Sequence, residues 1–224
     1  MTRPSDEAAA LFVDFDGTIV TTDTAQVALD RFGDRDWMRI DQALEMGEVS
    51  FEESLRREFA TLRAPPDTII AEVSHFTSLR PNFDRLIEYC RSTNLPLTVV
   101  SGGLDFCIHH FLDRDDWLSF LKICAPTSRY TGSGYTLTFP AVVCDRSTNF
   151  KDDLVRREKK NGTRVFFIGN GFGDLSAAKE ATIAFAIRGS RLAELCKQHQ
   201  VPHEEIDEFQ QVVDVMSSRS RVAF

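Results

Sequence analysis

The chain has 224 residues, of which 42% are hydrophobic and 27% charged, the balance of a globular protein with one sizeable core and room for an inserted subdomain. Its formal net charge of -8 speaks against nucleic acid or an anionic membrane as partner, so a small anionic substrate would need local positive charge or a metal. No run approaches the roughly 18 apolar residues of a membrane span, the opening MTRPSDEAAALFVDFDG is too acidic for a secretory signal, and five scattered cysteines without a C-x-x-C suit reduced thiols in a cytoplasm.

In chain order, residues 10–15 form a short buried strand that ends in acidic residues. Ala25, Ala28, Leu29 and Phe32 then recur at helical spacing, and Trp37, Ile40 and Leu44 continue it on a second helix. Ser50-Phe51-Glu52-Glu53 reads as a capping box, opening a third helix with Phe51, Leu55, Phe59 and Leu62 on one face. Pro65-Pro66 starts a fourth, with Ile69, Val73 and Phe76 inward. Four amphipathic helices with no strand between them predict a helical subdomain over 21–81.

Strand and helix then alternate. A helix carries Phe83, Leu86, Ile87 and Cys90, followed by a strand over 95–100, the turn Ser101-Gly102-Gly103, and a helix through Phe106 and His110. SRYTGSGYTLTF, Ser128 to Phe139, sets a Gly-Ser-Gly turn between β-formers and predicts a hairpin inside an insertion at about 126–142. A helix from Lys151, a strand over 164–168, a helix after Asp174, a strand over 182–186 and a helix through Leu192 and Leu195 follow. The tail SSRSRVAF reads as frayed. The expected architecture is α/β, a Rossmann-like doubly wound parallel sheet built from 1–20 and 82–224, with the helical subdomain and the hairpin inserted.

Ligands of such sheets sit beyond the carboxyl ends of the strands. Four polar signals fall there or at a following helix start: Asp14-Phe15-Asp16-Gly17-Thr18, Ser101-Gly102-Gly103, Lys151, and Gly169 to Asp174. On an extended segment Asp14 and Asp16 point the same way, and carboxylates that close repel unless a cation or a shared proton intervenes. Ser101 and its glycines offer a hydroxyl and close-approach N–H groups, an anion cradle. Lys151 near a helix start is opposed by the helix dipole, which an anionic partner would offset. Taken singly, each has a plainer reading as an acidic loop, a tight turn or a solvated lysine. Their joint placement carries the argument. Asp23 reads either as an N-cap or as a substrate contact, and Trp37 and Met38 as core packing or substrate contacts. His75, His109, His110, His199 and His203 lack metal-ligand spacing.

The set LFVDFDGTIV, LTVVSGG, Lys151 and FIGNGFGDLSAA resembles, in order and spacing, the four motifs of the haloacid-dehalogenase-like (HAD-like) phosphohydrolases. The helical stretch is similar to that superfamily's cap. The S-G-G turn and the hairpin resemble its phosphoserine-phosphatase-like branch, and within it the methionine-salvage phosphatases that act on 2-hydroxy-3-keto-5-methylthiopentenyl-1-phosphate. This resemblance implies a Mg2+-dependent phosphomonoester hydrolase acting on a small phosphorylated metabolite. Asp14 would be the nucleophile, forming an aspartyl-phosphate, and Asp16 the acid and then the base. Thr18, Ser101 and the Gly102 amide would hold the phosphoryl oxygens, and Lys151 would neutralise nucleophile and phosphate together. Mg2+ would be held by Asp14, the Asp16 backbone carbonyl and Asn170, with Asp174 ordering the shell around metal and lysine. Asp23 stands where phosphoserine phosphatases carry a glutamate for the substrate's amino group. Arg31, Arg35, Arg39, Arg56 and Arg57 are candidates to reach a substrate anion. A monomer or homodimer without nucleic-acid or membrane partners is expected.

One position departs from the pattern. The family's fourth motif usually reads G-D-G-x-x-x-D or similar, and here its first acid is Asn170. A carboxamide oxygen still ligates Mg2+ but carries no charge, and a charge pair at about 4 Å with an effective dielectric near 20 is worth roughly 4 kcal/mol gross. Two readings follow, a working enzyme with weakened metal affinity and a silent phosphate- or metabolite-binding protein. Intact Asp16 and Lys151 favour the first. Asn170-Gly171 is also a context in which deamidation to aspartate is chemically easy.

Overall fold

The computed structural model describes residues 8–221; the first residues of the N-terminal reading and the last three of the tail lie outside it. β1 (Ala9–Val13) is apolar at every position, as a parallel strand covered on both faces must be. Its alternation sorts the core into two layers. Leu11 and Val13 join one apolar cluster, and Ala10 and Phe12 join the other.

The same alternation runs through β2 (Leu97–Val100), β6 (Arg164–Gly169) and β7 (Ile183–Ile187). Val165 and Phe167 face the cluster of Phe12, while Phe166 and Ile168 face that of Leu11. With β3 (Lys122–Cys124) and β8 (His203–Ile206) these strands make a six-stranded sheet in the order β3-β2-β1-β6-β7-β8, parallel throughout. The connections turn outward from β1 and β6, so a crevice opens at their carboxyl ends.

α8 (Phe150–Lys160), α9 (Leu175–Glu180) and α10 (Arg191–Gln198) supply the cluster of Phe12. α5 (Phe83–Ser92), α6 (Asp105–Leu112), the short α7 (Trp117–Phe120) and α11 (Phe209–Arg221) cover the other face. The expected doubly wound fold is observed, as is the hairpin of β4 (Thr127–Tyr130) and β5 (Tyr135–Thr138).

Between β1 and β2 lie α1 (Thr24–Phe32), α2 (Trp37–Glu45), α3 (Phe51–Phe59) and α4 (Pro66–Ser74), with no strand among them. The chain enters and leaves this helical insertion through one neck. Val20 pairs antiparallel with Leu79, Thr21 N–H donates to Ser78 O at 2.9 Å, and Arg80 N–H donates to Ile19 O at 2.7 Å.

Several readings need correction. The first strand ends at Val13, because Phe15–Ile19 form one wide turn, with Asp16 extended and Gly17 at positive φ, closed by Val20 N–H to Phe15 O. Only half of the Ser50 capping box forms: Ser50 Oγ accepts from Glu53 N, while the Glu53 carboxylate pairs with Arg57. Phe76, expected inward, is 51% exposed and lies under the Arg31 guanidinium, because α4 stops at Ser74. The tail is helical through Arg221, held by Phe209, Val212 and Met216, which bury one stripe of α11. β3, α7 and β8 were not anticipated.

Candidate active site

The crevice gathers its side chains from four strand ends and helix starts. Asp14 follows β1 directly, and its N–H donates to Ile168 O at 2.9 Å, so the acid stands at the mouth of the sheet beside β6. Lys151 is the second residue of α8. Asn149 caps that helix, accepting from Lys151 N at 2.9 Å and Asp152 N at 3.1 Å, while Asp152 closes the reciprocal bond to Asn149 N. This capping box aims the lysine at the crevice. Lys151 Nζ lies 2.7 Å from Asp14 Oδ1 and 2.7 Å from Asp174 Oδ1, and all three residues are buried.

The charges are strongly interdependent. The two carboxylates hold the Lys151 ammonium above its usual range despite burial. Burial, and then the Asp174 charge, push the Asp14 carboxyl up, with Lys151 opposing them. Two buried acids share one cation, so the cluster keeps an excess negative charge that a further cation would relieve.

Asp16 lies alongside. Thr24 N–H and Thr24 Oγ1 donate to its Oδ1 at 2.8 and 2.6 Å, which leaves Oδ2 toward Ser101 Oγ at 3.5 Å. Burial, and then the Asp23 charge, raise its pKa to about 7. Asp23 is the N-cap of α1, accepting from Gln26 N at 2.8 Å, and it also lines the cavity. Ser101 Oγ accepts from Gly103 N at 2.9 Å. The Gly102 N–H has no partner among the described residues and is free to meet an anion.

Thr18 is placed differently from expectation. It is fully buried, with its hydroxyl 3.0 Å from Asn170 Oδ1 and 3.4 Å from Asp14 Oδ2, behind the cavity rather than in its lining. Asp174 is fully engaged. Its Oδ1 takes Lys151, and its Oδ2 accepts from Asn170 N at 3.0 Å and Gly171 N at 2.9 Å. The second of these bonds also opposes deamidation of Asn170, because the Gly171 nitrogen that would close the ring is already committed. Among the described residues no group of three or more His, Cys, Asp and Glu side chains is set to hold a metal ion, which accords with an asparagine where a third carboxylate would stand.

A cavity of about 240 Å³ covers these groups. The helical insertion supplies its roof with Trp37, Asp41, Phe51, Ser54 and Glu58. Phe51 is wedged between two loops of the sheet. A Cβ at Gly102 would come within 2.7 Å of its Cζ, and one at Gly173 within 2.5 Å of its Cε2, so both loops need glycine for close approach. Glu52 Oε1 accepts from Phe150 N at 3.1 Å and ties the insertion to the first turn of α8. No arginine of the insertion lines the cavity: Arg31 pairs with Glu72, Arg39 with Asp36, and Arg56 and Arg57 with Glu53. Met38 is 60% exposed and is not part of the cavity lining.

Sequence reasoning passed over several contributors. Thr24 holds Asp16. Arg80 donates to Thr18 O at 2.8 Å and Gly17 O at 2.7 Å, clamping the turn after Asp16 from across the neck. Nothing local marks these two, because their partners are set by tertiary structure. Asn149-x-x-Asp152 was a visible signal, a capping box just ahead of the lysine.

A family model for haloacid dehalogenase-like hydrolases matches residues 11–179. The chain is similar to the 2-hydroxy-3-keto-5-methylthiopentenyl-1-phosphate phosphatase of Brevibacillus brevis, with 28% identity over 211 residues that span 92% of this chain and 94% of that protein. It is also similar to a polyol phosphate phosphatase of Saccharomyces cerevisiae, with 26% identity across 96% of this chain and 93% of that one. Among solved structures it shares the fold of a phosphoserine phosphatase holding a phospho-aspartyl intermediate analogue. That likeness has a TM-score of 0.69 at 19% identity, over 94% of this chain and 99% of the other.

Proposed function

The chain belongs to the haloacid dehalogenase-like hydrolases, and on that premise we propose that it is a Mg2+-dependent phosphomonoester hydrolase working through an aspartyl-phosphate on a small phosphorylated metabolite. The observation that carries this reading is the buried Lys151 ammonium, 2.7 Å from both Asp14 and Asp174, with Asp16 beside it in the same cavity.

Asp14 attacks phosphorus in line with the ester oxygen. Lys151 favours the ionised nucleophile against burial and meets the charge spread over the phosphoryl oxygens, as do the free Gly102 N–H and the Ser101 hydroxyl. Asp16, with a pKa of about 7, is matched to protonating the leaving oxygen and then taking a proton from the water that cleaves the aspartyl-phosphate. Thr24 fixes which carboxyl oxygen does this by occupying the other. Asp174 anchors Lys151 and the Asn170-Gly171 turn and acts through them. Thr18 orients Asn170 and Asp14.

The donors available to a metal are the Asp14 carboxylate, the Asp16 carbonyl and the Asn170 carboxamide oxygen, all hard oxygens suited to Mg2+. When bound, Mg2+ would supply charge that draws the phosphate to Asp14 and stabilises the transition state. The test is aryl-phosphate hydrolysis across a Mg2+ titration. Wild type should turn over and Asp14→Asn should not; equal rates for the two would end the proposal.

A second reading, a phosphate- or metabolite-binding protein without turnover, draws on the neutral Asn170. It predicts a wild type silent at every Mg2+ concentration and an Asn170→Asp variant that is active.

A further inference from the structure

From the roof of the cavity we infer that the leaving alcohol carries a protonated nitrogen, so that the preferred substrate is the phosphate monoester of a small amino alcohol. This inference rests on the phosphatase reading and names its substrate class. The anchor is Glu58, on the last turn of α3. It is only 7% exposed and lines the cavity, and no hydrogen bond or ion pair reaches its carboxyl among the described residues. Glu53, on the same helix but outside the cavity, takes both Arg56 and Arg57. The insertion thus has cations enough, and spends them elsewhere.

Asp23 and Asp41 line the same cavity. Both lie close enough for their charges to add to the burial that lifts Glu58 to about 8. Among the described residues the sole cation in the lining, Lys151, is committed to Asp14 and Asp174. Without a partner the buried Glu58 carboxyl is costly to ionise and keeps its proton, and the cost of ionising it falls when a cation arrives. The phosphate end of a substrate cannot supply that cation; its leaving group can. Trp37 adds an aromatic side chain to the same roof, a surface that favours ammonium over a neutral group.

The arrangement also rejects. A leaving group bearing a carboxylate or a second phosphate would face three acids with no arginine among them. A polyol could donate hydroxyl hydrogens to the acids but brings no positive charge to pair with them.

The experiment compares kcat/KM for 2-aminoethyl phosphate, n-propyl phosphate, glycerol phosphate and serine phosphate, using the full chain with Mg2+. Propyl phosphate matches the first in size and lacks only the charge. Wild type should prefer 2-aminoethyl phosphate to each of the others by at least about tenfold, and Glu58→Gln should bring the ratio to propyl phosphate toward one. The wild-type ratio decides even where the variant fails to fold. Propyl, glycerol or serine phosphate turned over as well as the amine, or a ratio unmoved in folded Glu58→Gln, overturns the inference and leaves the phosphatase reading standing. If no ester is hydrolysed, aryl phosphate included, the phosphatase reading falls. Calorimetric titration of Asp14→Asn with 2-aminoethyl and propyl phosphate then decides the inference alone: tighter binding of the amine supports it, and equal binding ends it.

Discussion

At the scale of single residues, Glu58 and Asn170 depart furthest from local expectation. Glu58 has its pKa raised to about 8 from an ordinary 4.5, first by burial and then by Asp41 and Asp23. The native state therefore holds a proton that the unfolded chain releases. Its stabilising effect is complete below the unfolded value and is lost as pH rises through the native one. Glu58→Gln should accordingly raise the melting temperature more at about pH 9 than at about pH 5. Each unit of displacement is worth about 1.4 kcal/mol, so a difference of several degrees is expected, and a pH-independent one would contradict the account. At Asn170 a carboxylate would restore charge to the metal donors while crowding Asp14. Asn170→Asp should lower the half-saturating Mg2+ concentration by about tenfold or more. It should also lower the metal-free melting temperature and increase the stabilisation that Mg2+ confers. Unchanged Mg2+ dependence in both measurements would mean that residue 170 is not a donor.

At the scale of elements, the four polar signals were legible because each is a residue type out of place. Two acids cap an apolar strand, a serine leads two glycines, a lysine opens a helix, and a glycine-rich turn ends in Asp174. What holds them was not legible. Arg80 is one arginine among many until the neck brings it under Thr18 and Gly17. Its guanidinium satisfies two carbonyls of the turn that sets Asp16, so Arg80→Met strands both. A loss of about 2–3 kcal/mol in stability is expected, with kcat reduced more than KM is raised; full activity at native stability would refute this role. The edge strands were missed for a related reason. β8 is HEEI and fully buried only at Ile206, so its polar residues read as a loop. β3 is only three residues, KIC. Edge strands lack the second apolar cover that made β1 and β6 conspicuous.

At the scale of the whole molecule, two apolar layers grip one sheet, and the helical insertion rides above its carboxyl end. The core layers were readable from alternation. The last helix was not, because its basic, serine-rich end obscured the stripe of Phe209, Val212 and Met216. Phe209 is fully buried against Phe83, with ring centroids 5.0 Å apart. Phe209→Ala should cost about 3–5 kcal/mol in urea unfolding while leaving turnover per folded molecule intact; a cost under 1 kcal/mol would mean that the helix is dispensable. The wedge of Phe51 between Gly102 and Gly173 has a different consequence. The ring roofs the reacting centre and is held by both loops at once, so any lifting of the insertion has to draw it out of both. If such a movement paces product release, a more viscous medium should slow the wild type while a smaller side chain at position 51 escapes the drag.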